Sequence, residues 1–291
     1  MSYYNKSSSP IPGQENQEKP FFELAIHQFF IIPFLIAVGC VMLFTVFRLL
    51  TKEQPTVYNL LEDIKISGSS RRWQAAFELS RILTNQKLIP KEERFMHEMT
   101  SAFEKSLHDD DRVRQYLALA MGRTGNLEFF KTLTEDISHE KEDNLYAIIY
   151  ALGMLKDPRS PEILKPFLNH NNPRVRSITV VSLGNLTDPV LNPLFKQALH
   201  DSEPNVQWGA AMSLAKNGDN EGKPVIIQLL ERKYLSSFPE VDKNEQDQLI
   251  LSAIEAASSM KDPEVNEKIK FLSQNDPNMK VRASALKWMS L

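Results

Sequence analysis

Four stretches of this chain line up at a fixed spacing of 31 residues, and that spacing constrains the fold more than any other feature. They are DRVRQYLALAMGRTGN (111–126), DNLYAIIYALGMLKDP (143–158), PRVRSITVVSLGNLTDP (173–189) and PNVQWGAAMSLAKNGD (204–219). Gly122, Gly153, Gly184 and Ala215 follow one another at 31 residues, each after a large apolar residue: Met121, Leu152, Leu183, Leu214. Leu133, Leu164 and Phe195 keep the same step, as do Ile137, Leu168 and Leu199 and the dipeptides Asp157-Pro158 and Asp188-Pro189. A period of 20–50 residues marks a solenoid, because one helix pair cannot bury its apolar side without a stacked neighbour.

Weaker copies extend the array. Leu79-Ser80 lies 42 residues before Met121-Gly122, Ala257-Ser258 lies 43 after Leu214-Ala215, and Met289-Ser290 lies 32 after that. The expectation is an all-α fold: a right-handed α-solenoid of about seven helix pairs over residues 55–291. Outer helices are expected near 56–66, 91–106, 127–137, 160–168, 190–199, 222–231 and 264–273. Inner helices are expected near 71–83, 111–123, 143–155, 173–185, 204–216, 244–260 and 279–290. Asn172-Pro173, Glu203-Pro204 and Asp276-Pro277 read as a polar cap followed by proline at the first helical position. The glycine closing each inner face reads as the point where the chain turns back, and Pro166 as a kink in the fourth outer helix. The 12-residue insertion around Arg232–Lys243 reads as a longer surface loop, with a specificity-bearing loop as the alternative.

Before the array, Phe29–Phe47 (FFIIPFLIAVGCVMLFTVF) holds 19 residues without a charge. About 20 apolar residues cross a hydrocarbon core as one helix, so this segment reads as a transmembrane span. Pro33 and Gly39 within it are compatible with membrane helices. A cleaved signal peptide is disfavoured by the length of the run and by the missing basic segment immediately before it. A lipoprotein signal around Ala37-Val38-Gly39-Cys40 is disfavoured by the apolar residues that follow Cys40. Residues 1–20 read as a disordered, Ser/Pro/Gln-rich tail, and 21–28 as an amphipathic lead-in. The twenty residues after Phe47 hold three basic groups (Arg48, Lys52, Lys65) against one, Lys19, in the twenty before Phe29. The positive-inside rule then places the C-terminal domain in the cytoplasm of a single-pass inner or plasma membrane protein. Only about seven residues, Arg48–Gln54, separate span and array, which points to a membrane-bound or membrane-proximal partner.

The segments from Val113-Arg114 to Gly122 and from Val175-Arg176 to Gly184 resemble the bacterial HEAT-like repeat of the phycobilin-lyase type, whose units begin Val-Arg and end Leu-Gly. The resemblance covers about residues 55–291. It implies an α-solenoid that binds something on its concave side. Within that family it leaves open a scaffold or adaptor, a membrane-tethered enzyme or lyase subunit linked to a bilin or a metal, and a periplasmic envelope-assembly factor.

Catalytic chemistry is not visible. His97-Glu98 and His139-Glu140 look like the dipeptides that ligate iron in the HEAT-like deoxyhypusine hydroxylases, but they lie 42 residues apart and out of register with the repeat. His108, His170 and His200 read as polar turn residues. No phosphate loop, Ser/His/Asp constellation or zinc signature occurs. Neither a catalytic residue, a cofactor nor a metal is expected, and a net charge of −3 argues against a nucleic-acid partner. The partners expected are a protein and the lipid bilayer.

A candidate protein-binding surface lies on the inner helices. Numbered from Val113, Asn144, Val175 and Val206, the third position of each repeat holds Trp73, Tyr146 and Trp208 among others, and the seventh Phe77, Tyr150, Val181 and Met212. The second holds Arg72, Arg114 and Arg176. Positions three and seven share one helical stripe, so stacking would align them into an aromatic ladder flanked by arginines. Such a surface suits an amphipathic helix or extended peptide carrying acidic residues. The competing reading is inter-repeat packing, with the arginines paired to acids of a neighbouring repeat such as Asp111 or Asp201.

Overall fold

The computed structural model describes residues 27–50 and 55–290. The tail, the lead-in up to residue 26 and the linker residues 51–54 lie outside the described residues. The chain divides into two units, Met1–Pro55 and Thr56–Leu291.

In the first unit a single turn of wider helix, His27–Ile31, runs into the α-helix Ile32–Leu50. Phe29–Phe47 within it has a mean hydropathy of 2.7 and is not covered by other parts of the protein. Pro33 comes just after the wider turn His27–Ile31, which is where a helix adjusts to a residue that lacks an N–H. The one hydroxyl in the run, Thr45, donates to the carbonyl of Val41 at 2.7 Å, so it needs no outside partner. Cys40 is a free, exposed thiol, and nothing lies near Gly39 that a side chain there would touch.

The second unit is an α-solenoid of seven helix pairs. The first three pairs are Val57–Ile66 with Ser69–Ile82, Glu93–Lys105 with Asp111–Thr124, and Phe129–Thr134 with Glu142–Leu155. Then come Ser160–Leu164 with Pro173–Gly184, Asn192–Ala198 with Pro204–Lys216, Lys223–Leu229 with Lys243–Ala256, and Pro263–Asn275 with Met279–Met289. The inner helices stack directly on one another, and leucines such as Leu79, Leu117, Leu152, Leu183 and Leu214 are fully buried along the stack.

Three local expectations change. Gly153 does not turn the chain; it lies inside the helix Glu142–Leu155, and the reversal falls on Lys156 at φ 54°. The glycine is there because helices approach: a β-carbon on Gly153 would stand 2.6 Å from the Cα of Ser182 in the next inner helix, and one on Gly122 would stand 2.7 Å from the Cα of Ala151. Pro166 does not kink an α-helix, because the α-helix stops at Leu164 and Lys165–Asn169 winds on as a tighter 3₁₀ segment. Glu203 makes no side-chain cap; Asp201 instead accepts the N–H of Glu203 at 2.9 Å. In the last repeat Asn278, not Asp276, caps the helix by accepting from the Lys280 N–H. Asn172 caps its helix as the sequence suggests.

The insertion is not a surface loop. It forms a short helix, Arg232–Leu235, and buries Leu235 and Val241. Its Arg232 donates to Asp276 at 2.7 Å and to Asp247 at 2.6 Å, tying the last two repeats together. Around it the buried apolar residues form two clusters, one from Val57 to Leu214 and one from Trp208 to Ala285.

Candidate partner-binding surface

The nine sequence candidates all lie on the inner helices, and they divide into two sets by burial. The buried set begins with the arginines. Arg114 is only 5% exposed; its guanidinium donates to Glu140, with Nε at 2.7 Å, and to the Phe103 carbonyl at 2.9 Å. Arg176 donates to both carboxylate oxygens of Asp201 at 2.8 Å and to the His170 carbonyl at 2.9 Å. Arg72 pairs with Asp109 at 2.9 Å. Each second-position arginine thus meets an acid from the turn leading into the next inner helix. Arg114, Arg176 and, in the last repeat, Arg282 also hold carbonyls at the end of their own outer helix. Asp111 does not join this series, because it takes the Lys141 ammonium at 2.9 Å. Bidentate, partly desolvated pairs of this kind fix geometry. In keeping with the pairing, the Arg176 guanidinium holds the Asp201 carboxyl below the ordinary carboxylate range.

Trp208 belongs to the buried set as well, at 2% exposure. The insertion folds over it: the Phe238 and Tyr234 rings lie 5.1 and 6.4 Å from its ring, edge to face, and its indole N–H donates to the Tyr234 hydroxyl at 3.2 Å. The aromatic ladder is therefore closed off at the fifth repeat by the protein's own side chains. Nothing in the repeat pattern marks this, because Tyr234 and Phe238 lie in the stretch that breaks the period.

The open set occupies the first four repeats. Phe77 is 44% exposed and meets the Tyr116 ring edge-on at 5.2 Å. Tyr146 is 40% exposed, and Trp73, Tyr150 and Val181 are half-buried; Met212, on the fifth inner helix beside the covered Trp208, is half-buried too but falls outside these four repeats. Tyr116, at position four, is a member the sequence reading missed; its aromatic partner one repeat back is the signal that identifies it. Two further arginines stand over these rings. Arg112 lies 4.4 Å above the Trp73 ring and is held there by Asp110, whose carboxyl is pulled down to about 2 by the hydrogen bond from Arg112. Arg174 lies 5.7 Å from the Tyr146 ring and forms no ion pair among the described residues. Tyr146, Arg174 and Ser177 line a cleft of about 390 Å³ together with Glu203 and Glu245. Rings with a cation over one face offer large contact area at low entropic cost.

Among the described residues no group of three or more His, Cys, Asp or Glu side chains could hold a metal ion.

Residues 100–184 and 161–236 match the family model for HEAT repeats. The chain is similar in fold to the complex of CpcE and CpcF of phycocyanin lyase from a Nostoc species. That match has a TM-score of 0.56 at 19% identity, over 82% of this chain and 94% of the other. A human deoxyhypusine hydroxylase in complex with glycerol matches at TM-score 0.38 and 16% identity, over 80% of this chain and 94% of its own. An engineered protein matches at TM-score 0.38 and 19% identity, over 80% and 97%. No curated protein matches the chain by sequence.

Proposed function

We propose that this protein is a non-catalytic HEAT-repeat scaffold, held in a membrane by Phe29–Phe47, that docks an acidic, apolar segment of a membrane-proximal protein on the inner helices of its first four repeats. The observation that carries the docking surface is the pairing of half-open aromatic rings with Arg174, a cation with no carboxylate partner among the described residues. Interfaces favour Tyr, Trp and Arg at their energetic centres, and an acidic segment would supply the counter-charge. The apolar length of Phe29–Phe47 and its lack of cover support the anchor, and the basic residues after it support a cytoplasmic array.

The test is purification of the full chain in mild detergent, with and without Tyr146→Ala and Tyr150→Ala. Loss of the co-purifying partner is the expected outcome. Tyr150 also packs against the buried core and its truncation should lower the melting temperature somewhat, so Tyr146→Ala alone, at a half-exposed ring, must weaken partner binding at a melting temperature unchanged within about 2 °C. Trp208→Ala is the contrast: truncating a buried aromatic ring lowers stability by about 3–5 kcal/mol. A partner retained by the double tyrosine variant would refute the docking surface.

A second reading, a lyase-like subunit, is favoured by the similarity in fold to the phycocyanin lyase complex. Added bilin separates the two readings: a shifted absorption band on binding the purified chain favours the lyase-like role.

A further inference from the structure

The aromatic register of the inner helices is occupied at one place by the protein's own chain. At the third position, Trp73 lies under Arg112 and Tyr146 under Arg174, each cation coming from the next repeat. Trp208 holds the same position in the fifth repeat, and there the insertion, not a cation, meets the ring. The backbone of the insertion winds without a break from Glu231 to Phe238. The N–H groups of Leu235, Ser236 and Phe238 donate to the carbonyls of Glu231, Arg232 and Leu235 at 3.2, 2.8 and 3.2 Å. This turn sets Tyr234 and Phe238 on one face, with ring centroids 5.1 Å apart, and both rings meet the Trp208 indole edge to face. Charge brackets the pair. Arg232 precedes the rings and donates to Asp247 and Asp276, and Glu240 follows them, exposed. The cleft at Tyr146 carries the complementary charges, with Arg174 over the ring and Glu203 and Glu245 in the lining. Glu245 sits in the first turn of the helix Lys243–Ala256, so the cleft reaches the point where the insertion rejoins the array.

We infer that the insertion, from Arg232 to Asp242, is an internal copy of the segment this surface binds. The inference rests on the docking reading above and names the partner's chemistry. The partner segment is one helical turn with two aromatic rings spaced as Tyr234 and Phe238 are, a basic residue ahead of them and an acidic residue behind. Seated at Tyr146, its rings meet the half-open tyrosine as Phe238 and Tyr234 meet Trp208. Its acid pairs with Arg174 and its base with Glu203 or Glu245, so both signs of charge in the cleft are matched. A purely acidic segment would set those two carboxylates against like charge. Edge-to-face rings add energy beyond the area they cover. The insertion fills the seat at Trp208 because it is tethered beside it, at high effective concentration. The seat at Tyr146 has no such tethered occupant among the described residues, and it is left to a segment from another protein.

The test titrates the full chain, in detergent micelles, into a fluorophore-labelled peptide with the sequence of residues 231–243 and reads anisotropy against empty micelles. A free peptide must order on binding, so the titration is followed in competition with unlabelled peptide up to about 1 mM. Saturable binding is the expected result. Tyr146→Ala should weaken it by roughly tenfold or more at an unchanged melting temperature, and Tyr146→Phe, which keeps the ring, should restore it. The same peptide carrying Tyr234→Ala and Phe238→Ala should not bind. No saturable binding, binding indifferent to Tyr146→Ala, or equal binding of the ringless peptide would each overturn the inference. A chain that sediments as a dimer and is dissociated by the peptide would overturn it too, since the seat would then belong to the insertion of a second copy. The docking reading is judged separately. It falls if the double tyrosine variant keeps its co-purifying partner, and it stands if that partner is lost while the peptide fails to bind.

Discussion

Tyr146 and Trp208 occupy the same register position two repeats apart, yet one ring is half open and the other is buried under Phe238 and Tyr234. The period assigns both to one stripe, but it carries no information about side chains that arrive from outside the repeat. The arginines are the reverse case. Arg114 and Arg176 were readable as either groove or pairing residues; Asp201 was legible as a partner and takes Arg176, whereas Arg114 takes Glu140 rather than Asp111, in a turn whose register the sequence leaves loose. At this scale the pairs make a pH prediction. The carboxyls of Asp110 and Asp201 titrate lower in the folded chain than the ~3.9 of an unfolded aspartate. A depressed folded value stabilises fully above the unfolded value, and that contribution is lost as pH falls through the folded one. The melting temperature should therefore fall between about pH 4 and pH 2, and Asp201→Asn, less stable at neutral pH, should lose less over that interval. Circular-dichroism melts across the series check it; an Asp201→Asn curve parallel to wild type would show that the pair contributes nothing.

Between elements, contact distance sets what the repeat can contain. Gly122, Gly153 and Gly184 stand where a β-carbon would collide with the next inner helix, and the residues that meet them are Ala151, Ser182 and Ser213. The 31-residue step was legible from these small residues, but their purpose was not, because a glycine near a helix end also reads as a reversal. Gly153→Ala should cost about 1–3 kcal/mol by overpacking, measurable by urea denaturation. An unchanged midpoint would mean the inner helices separate without penalty. The insertion is the other element whose role the sequence hid. Its two aromatics and its buried Leu235 and Val241 all pack into the second apolar cluster, over Trp208, and the Arg232 pairs tie the last two repeats together.

For the whole molecule, the boundary near Pro55 separates an apolar helix from an array that buries its own core. A chain beginning at Thr56 should fold with the helical content of the array, stay in solution without detergent and fail to replace the full-length protein in cells. Full replacement would make the N-terminal helix dispensable. The seven helix pairs and their order were visible in the sequence, since each repeat carries the same apolar face and the same turn signals. The open and closed parts of the inner surface were not, because they depend on one interruption of the period.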